Sequence, residues 1–335
     1  MIFQELSGEQ TRRLVDSEQR YDTYRRALQK LHQSYRGSMT FKRVKEQDYL
    51  YHIIDGVAKS LGPRSAQTES VVSAFQEGRE RQRQRRDTLR KAIDTEARVD
   101  RAMGLGRAPL VVADILRKLD RAGLLGRGIS VVGTNAIYAY ERMAGGSFPA
   151  SLLATGDIDL LFDGRRRLRM LIRDDQAEGL TGVLRRVDDS FSLVAPGAYR
   201  ATNDQGFMVD LIQPQQAALA SLRTAIGNAD DLQAAEVEGL AWLQNVPQIE
   251  QTLLDERAQP FTMIVPDPRA FALHKLWLSE RVDRDVVKAR RDREQAILVA
   301  RIVTDYLPGR GFDDPAIAAV PAALRARAAE LTTYS

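Results

Sequence analysis

The sequence contains no cysteine, and its three histidines, His32, His52 and His274, lie far apart along the 335 residues. Without cysteine, the chain has no disulfide framework and no zinc site built on thiolates. A Ser-His-Asp or Cys-His mechanism would require one of the three histidines, and no G-x-S-x-G motif accompanies any of them. We therefore exclude hydrolases of the serine and cysteine types.

Long apolar runs are missing as well. No stretch of about eighteen apolar residues occurs, and the first residues lack the short apolar run with a basic flank that marks a secretory signal. We therefore expect a cytoplasmic protein with no membrane partner. The formal charge of +4 suits a partner that carries phosphates, and it suits ordinary solubility equally well.

Composition and periodicity predict an α+β protein with three regions, because 335 residues exceed the size of one small domain. Residues 1–123 are predicted to be mainly helical with a small β-hairpin. Residues 124–214 alternate short strands and helices and form the predicted core. Residues 215–335 are predicted to be a C-terminal helical domain. The predicted helices span residues 7–37, 65–103, 109–122, 134–143, 215–227, 231–243, 268–281 and 285–305, and the predicted strands span 39–44, 49–54, 129–132, 157–162 and 207–212.

Arginine and lysine are concentrated in residues 79–91, where thirteen positions hold seven of them. One interpretation is a solvated helix face with i,i+4 pairs such as Glu77 with Arg81. The other is a surface that contacts the phosphate backbone of RNA or DNA. The segment has no interleaved aromatic residues that could stack on bases, which favours the solvated face.

Asp157 and Asp159 stand in the run TGDIDLLFD at residues 155–163. Residues i and i+2 of a strand face the same side, so the two carboxylates point together, while Ile158 and Leu160 face the other way. Two adjacent carboxylates repel each other unless solvent or a divalent cation lies between them. Magnesium is the natural occupant, because it prefers carboxylate and phosphate oxygens. A strand with one hydrated polar face is the alternative.

Gly133 and Thr134 stand where a predicted strand turns into a helix. Such a junction can bind phosphate, because glycine allows close approach and the first helical turn offers unpaired N–H groups. The alternative is that Gly133 makes the turn and Thr134 caps the helix.

Asp210 is a single acid inside the apolar run FMVDLI, residues 207–212. A neighbouring metal ion would keep such a carboxylate ionised and able to accept a proton. An edge-strand position or pairing with an arginine would explain it as well.

The order Gly-[Ser or Thr], then Asp-x-Asp, then a lone Asp resembles the DNA polymerase β nucleotidyltransferase superfamily. More closely, residues 132–136 (VGTNA), 154–159 (ATGDID) and 49–51 (YLY) are similar to a poorly characterised bacterial family of nucleotidyltransferase-fold proteins. Thr134 departs from the more common serine but keeps the hydroxyl group. The interval from Gly133 to Asp157 is longer than in compact members of the superfamily.

The resemblance implies a role for each of these residues. Gly133 and Thr134 would bind the phosphates of a nucleoside triphosphate. Asp157 and Asp159 would ligate two Mg²⁺ ions, for which Mn²⁺ could substitute, and Asp210 would complete the ligands of the catalytic ion. A nucleoside monophosphate would then move to an acceptor hydroxyl on RNA, tRNA, a protein or a small molecule, with release of pyrophosphate, in a toxin–antitoxin or defence setting. The same fold without turnover, as a nucleotide- or nucleic-acid-binding module, is the alternative.

Lys275 lies on the helix that is predicted to begin at Pro268, with Asp267 as its cap. In some bacterial nucleotidyltransferases, including abortive-infection toxins, a lysine on a helix after the core contacts the triphosphate, and a Lys-Asp element follows. Residues 288–292 (KARRD) approximate that element. The alternative is an amphipathic lysine whose stem covers apolar surface.

Overall fold

The computed structural model describes residues 3–165, 179–215 and 231–333. Packing groups the chain into two compact units. The larger unit comprises Met1–Thr11, Arg107–Glu256 and Phe261–Ser335, and the smaller unit comprises Arg12–Gly106 and Arg257–Pro260. The division into three regions, which follows composition, stays a prediction.

Two long helices and a small antiparallel sheet make up most of the smaller unit. The first helix begins with a capping box, in which the Ser7 amide donates to Gln10 Oε1 (2.9 Å) and the Gln10 amide donates to Ser7 Oγ (3.2 Å). The elements, after the short strand β1 (Gln4–Glu5) of the larger unit, are α1 (Gly8–Ser34), β2 (Ser38–Val44), β3 (Gln47–Ile54), β4 (Val57–Pro63) and α2 (Ala66–Ala102).

The predicted hairpin of β2 and β3 is confirmed, but the sequence analysis missed a third strand. Strand β4 pairs antiparallel with β3. The two are joined by Asp55 and Gly56, both with positive φ (51° and 79°). An Asp-Gly pair is a strong signal for a two-residue hairpin turn, so the third strand was predictable.

A mixed sheet forms the centre of the larger unit, with the strand order β5-β7-β10-β9-β8 and β11 also paired with β10. Strand β7 runs parallel to β10 and antiparallel to β5. The helices and strands of this unit that follow α2 are α3 (Leu110–Arg121), β5 (Ile129–Val132), α4 (Ile137–Ala144), β6 (Gly146–Ser147), β7 (Asp157–Phe162), α5 (Gly179–Arg185), β8 (Ser192–Leu193), β9 (Arg200–Thr202), β10 (Met208–Pro214), β11 (Ala235–Val237), α6 (Leu240–Gln244), β12 (Gln248–Leu254), β13 (Pro260–Pro266), α7 (Pro268–Ser279), α8 (Val286–Arg301), α9 (Ala322–Arg325) and α10 (Ala329–Thr332).

The helix predicted for residues 231–243 was wrong. These residues form β11 and the short helix α6 instead. Gly239 has a φ of 82°, a left-handed conformation that a continuous helix does not contain. The Asp231 carboxylate accepts hydrogen bonds from the backbone amides of Leu180 and Thr181, so it caps α5 rather than starting a helix of its own.

The remaining predicted elements after residue 214 have mixed outcomes. The helix predicted for 215–227 lies outside the described residues after Gln215. The two-stranded sheet of β12 and β13 was not predicted. The predicted start of α7 is confirmed, because the Asp267 side chain accepts from the Arg269 amide and Pro268 occupies the first turn.

The chain thus has the predicted α+β fold, with helices and mixed sheets in the described residues. None of the described helices is both long enough and apolar enough to cross a membrane.

Candidate functional site

Strands β7 and β10 place three carboxylates on one face of the central sheet. Asp157 and Asp159 are two residues apart on β7, and Asp210 of β10 lies directly opposite Asp159 in the parallel register. Paired residues of adjacent strands point to the same side of a sheet. The other face carries Ile158 and Leu160, which are both fully buried. Three acids from distant parts of the sequence therefore come together.

The turn after β5 lies against this group of carboxylates. Val132, the last residue of β5, pairs with Asp159, and Gly133 follows with a φ of 66°. A Cβ atom at Gly133 would overlap Asp159 Oδ2. Position 133 therefore requires glycine both for its backbone conformation and for the space that the carboxylate occupies.

Asn135 fixes the turn to the carboxylate strand, a role that the sequence analysis missed. Its Nδ2 donates to the backbone oxygen of Asp157 (2.7 Å). The neighbouring Thr134 is buried, and its Oγ1 accepts a hydrogen bond from Gln295 Nε2 (3.2 Å). Residues Thr134–Ala136 form a 3-10 turn that leads into α4, so the predicted helix begins with a tighter turn.

The three carboxylates differ in their partners. Asp157 accepts a hydrogen bond from Thr155 Oγ1. Asp159 accepts none from any described residue. Burial and the nearby negative charges of Asp157 and Asp210 raise the pKa of Asp159 to about 7, although Lys275 opposes this shift. Asp159 is thus a half-buried carboxylate without a donor, in a place where a cation would stabilise its ionised form.

Asp210 is paired with an arginine. Arg200 of β9 lies directly opposite it in the antiparallel register, and its Nε and Nη2 atoms each lie 2.6 Å from a carboxylate oxygen. These hydrogen bonds raise the pKa of the Arg200 guanidinium. Of the interpretations considered for Asp210, the arginine-paired carboxylate is the one seen in this structure, within an inner strand.

In the part of the chain that the structure describes, no three acidic or histidine side chains are arranged to hold one metal ion. Two of the three site carboxylates are engaged elsewhere, Asp157 by Thr155 and Asp210 by Arg200. A shared ion would therefore require the Arg200 pair to open.

Comparison with known proteins shows which family this chain belongs to. Residues 111–319 match a family model described as Nucleotidyltransferase, which is more than half of the chain. The chain belongs to this nucleotidyltransferase family. No curated protein and no solved structure matches it. The matched residues of this nucleotidyltransferase include the turn at Gly133 and the strands that carry Asp157, Asp159 and Asp210.

The family match also includes a buried ion pair between α7 and α8. Lys275 Nζ lies 2.7 Å from Asp292 Oδ1, and Arg284 Nε lies 2.8 Å from Asp292 Oδ2. The Asp292 side chain is fully buried, and that of Lys275 is only 6% exposed. Burial lowers the pKa of Lys275, whereas the charges of Asp292 and Asp159 oppose this shift. Lys275 is therefore a buried cation within electrostatic reach of Asp159.

His274, beside Lys275, packs against Trp242 and Trp277, with ring centroids 6.1 and 5.7 Å away. Burial lowers its pKa to about 3, so it is neutral near pH 7. His274 is therefore a packing residue.

The raised pKa of Asp159 predicts how the stability of this nucleotidyltransferase depends on pH. An aspartate in the unfolded chain titrates near pH 3.9, so the folded protein binds more protons than the unfolded chain between that pH and about 7. Stability from this group therefore falls as pH rises through that window. Asp159→Asn removes this group. Its free energy of unfolding should therefore rise relative to that of the wild type from pH 4.5 to about 7, by up to about 1.4 kcal/mol for each pH unit, and the difference should stay constant from there to pH 8.

Urea unfolding in EDTA across this pH range measures the difference. Asp204→Asn is the matched control, because Asp204 is exposed, and its curve should follow that of the wild type. If the difference in free energy of unfolding between Asp159→Asn and the wild type does not change with pH, the raised pKa of Asp159 is contradicted.

Proposed function

We propose that this nucleotidyltransferase transfers a nucleoside monophosphate from a nucleoside triphosphate to an acceptor hydroxyl and releases pyrophosphate. The main support for this proposal is that Asp157, Asp159 and Asp210 lie on one face of the sheet, beside the turn at Gly133. A binding site for phosphates alone would not place three carboxylates here, because they repel phosphate unless cations lie between. The order and placement of these residues support a catalytic mechanism like that of the polymerase β superfamily.

We further propose that the reaction depends on Mg²⁺, with Mn²⁺ as a substitute. The donor set fits such an ion, because carboxylates are its preferred protein ligands and Asp159 lacks a hydrogen-bond donor among the described residues. Asp157 and Asp159 would hold two ions, and Asp210 would join the ligands of one of them. When bound, the ions supply charge stabilisation at the attacking and leaving oxygens of an in-line displacement.

The turn at Gly133 and Thr134 would bind the phosphates. Backbone N–H groups at the start of a helix attract anions. A hydroxyl group has one donor and two acceptor positions, and the Thr134 oxygen uses one acceptor position for Gln295. Its O–H group is therefore available to donate to a phosphate oxygen.

Once its ion pair with Arg200 opens, Asp210 would accept the proton of the acceptor hydroxyl. The Arg200 side chain is 33% exposed, so it has solvent-facing room to turn away. A guanidinium freed in this way would bind phosphate oxygens in a two-pronged arrangement. Arg200 would then pair with Asp210 before the nucleotide binds and with a phosphate group afterwards.

Lys275 would supply positive charge to the triphosphate, although Asp292 holds its ammonium in this structure. Its interaction with the charge of Asp159 supports a place next to the carboxylates. In this proposal Asp292 orients Lys275, so the Lys275 ammonium is a positive charge in a fixed position that need not be reorganised during the reaction.

Transfer of label from α-labelled nucleoside triphosphates tests the proposed function. The full chain is incubated with Mg²⁺, each of the four triphosphates, and RNA, tRNA, protein or small-molecule acceptors. We expect label on an acceptor, a matching amount of pyrophosphate, and no product in EDTA. If no triphosphate and acceptor combination gives product, the proposed function is wrong.

The Arg200–Asp210 pair favours one alternative, a module that binds nucleotide or nucleic acid without turnover. Arg200 already neutralises the carboxylate that would act as base. Such a module would bind nucleotide in a calorimeter but release no pyrophosphate. Product formation in the labelling experiment would exclude it.

A further inference from the structure

The two units of the chain carry opposite net charge. The smaller unit has 22 lysine and arginine residues against 13 aspartate and glutamate residues, a formal charge of +9. The larger unit has 27 against 32, a formal charge of −5. The whole-chain value of +4 hides this separation. A compact unit with such an excess of positive charge attracts polyanions.

Part of the positive charge follows one stripe of α2. Arg79, Arg83, Arg86 and Arg90 are spaced by four, three and four residues, so they lie on the same side of the helix. From the first to the last they cover about 17 Å of helix length at about 1.5 Å per residue. Arg83 and Arg90 are exposed, and the other two are partly exposed. We call these four residues the arginine stripe.

The charges of the arginine stripe are only weakly engaged. No carboxylate among the described residues pairs with Arg79 or Arg83. Arg86 lies 2.7 Å from Asp87, and Arg90 lies 3.1 Å from Asp94, in pairs whose side chains are 35–56% exposed. Exposed ion pairs of this kind contribute about 0–1 kcal/mol, so a phosphate group can replace the carboxylate at little cost.

Stability of the helix does not require so many arginines in this stripe. The buried residues Phe75 and Ile93 lie on α2 before and after the arginine stripe, and they anchor the helix in its unit. Glutamine has nearly the same helix propensity as arginine. The sequence alone favours a solvated helix face, but such a face would be equally stable with balanced charges. Residues 79–91 instead hold seven cations and only two anions.

We propose that the smaller unit binds nucleic acid through the arginine stripe, by contacts with the phosphate backbone. Because residues 79–91 include no aromatic side chain, binding through this segment does not read bases and shows little sequence preference. The terminal hydroxyl of the bound strand could also serve as the acceptor. This part of the inference rests on the proposed nucleotidyl transfer. Binding itself does not depend on it.

Salt dependence of affinity tests the proposal. The probes are single-stranded and duplex RNA and DNA oligonucleotides of mixed sequence, and the protein is the full chain with Asp157→Asn, so that no turnover interferes. Four phosphate contacts predict a slope of log K against log salt of about −3 for a single strand and about −4 for a duplex. For the single strand this means a loss of about 50-fold in affinity from 50 to 200 mM salt. A preference for RNA or for DNA identifies which nucleic acid supplies the phosphates.

Two quadruple variants are compared at equal loss of charge. The stripe variant carries Arg79→Gln, Arg83→Gln, Arg86→Gln and Arg90→Gln and should lose at least tenfold in affinity at 50 mM salt, with a slope that is shallower by about 3. The control variant carries Arg121→Gln, Arg127→Gln, Arg185→Gln and Arg186→Gln, four exposed positions of the larger unit, and should bind like the parent. Circular dichroism of both variants should retain the helical signal of the parent.

Three other outcomes would overturn the proposal. Equal losses in the two quadruple variants would show that binding follows total charge and not the arginine stripe. Equal affinity for oligonucleotides and for vesicles that contain anionic phospholipid would assign the stripe to membranes. If the parent does not bind nucleic acid but the wild type still transfers label, only this inference is wrong. If binding depends on the arginine stripe but no label is transferred, only the proposed function is wrong.

Discussion

Asp157→Asn and Asp159→Asn are each expected to lower the rate of nucleotidyl transfer by about three orders of magnitude. Asparagine keeps the size of the side chain but removes the negative charge that would hold a cation. The two residues share one face of β7 and lie beside Asp210, so neither position has a neighbour that is free to take over its role. The measurement is label transfer under saturating Mg²⁺, with the same acceptor for all variants.

Two controls separate lost chemistry from lost folding. Asp204→Asn removes a carboxylate from an exposed position and should retain the wild-type rate. In EDTA, Asp159→Asn should be at least as stable as the wild type near pH 8, because it removes a carboxylate whose ionisation is unfavourable in the folded state. An inactive variant that is also unfolded would not support the account, and a fully active Asp159→Asn would contradict it.

Asp292→Ala is expected to lower the free energy of unfolding by about 3–5 kcal/mol. Asp292 is fully buried between Lys275 and Arg284. Its removal leaves the buried ammonium of Lys275 without a counter-charge, which is costly because water cannot replace the carboxylate there. Arg284 is 29% exposed and can turn toward solvent, so most of the loss comes from Lys275.

A double variant tests the origin of that loss. Lys275→Met with Asp292→Leu replaces the buried pair by apolar side chains of similar size, and it should recover most of the stability that Asp292→Ala loses. It should nevertheless show impaired label transfer, since the charge proposed for the triphosphate is gone. A loss below 1 kcal/mol in Asp292→Ala, measured by urea unfolding, would show that the pair contributes little.

Much of the carboxylate face follows from local rules. Alternation along a strand is enough to place Asp157 and Asp159 together, and a glycine at a strand-to-helix junction marks a turn. The apolar run around Asp210 predicts a strand, and the order of motifs along the chain indicates a shared site. What these rules do not supply is register, which places Asp210 opposite Asp159.

The partners of the site residues depend on contacts between distant segments. Arg200 reaches Asp210 only because β9 and β10 pair antiparallel, and Asn135, which follows β5, reaches the Asp157 backbone only because β5 and β7 are adjacent. Gln295 contacts Thr134 from α8, 161 residues further along the chain. No local pattern encodes these pairings, whereas the Asp55-Gly56 turn was a local signal that the sequence analysis overlooked.

The central claim is that Asp157, Asp159 and Asp210 together bind divalent cations beside Gly133. Crystals grown with Mn²⁺ and a non-hydrolysable nucleoside triphosphate, with data collected at the manganese absorption edge, test it most directly. The account predicts anomalous peaks next to the Asp157 and Asp159 carboxylates, with Asp210 turned from Arg200 toward one of them and the triphosphate against the turn at Gly133. Manganese and nucleotide bound elsewhere, with Asp210 still paired to Arg200, would contradict it.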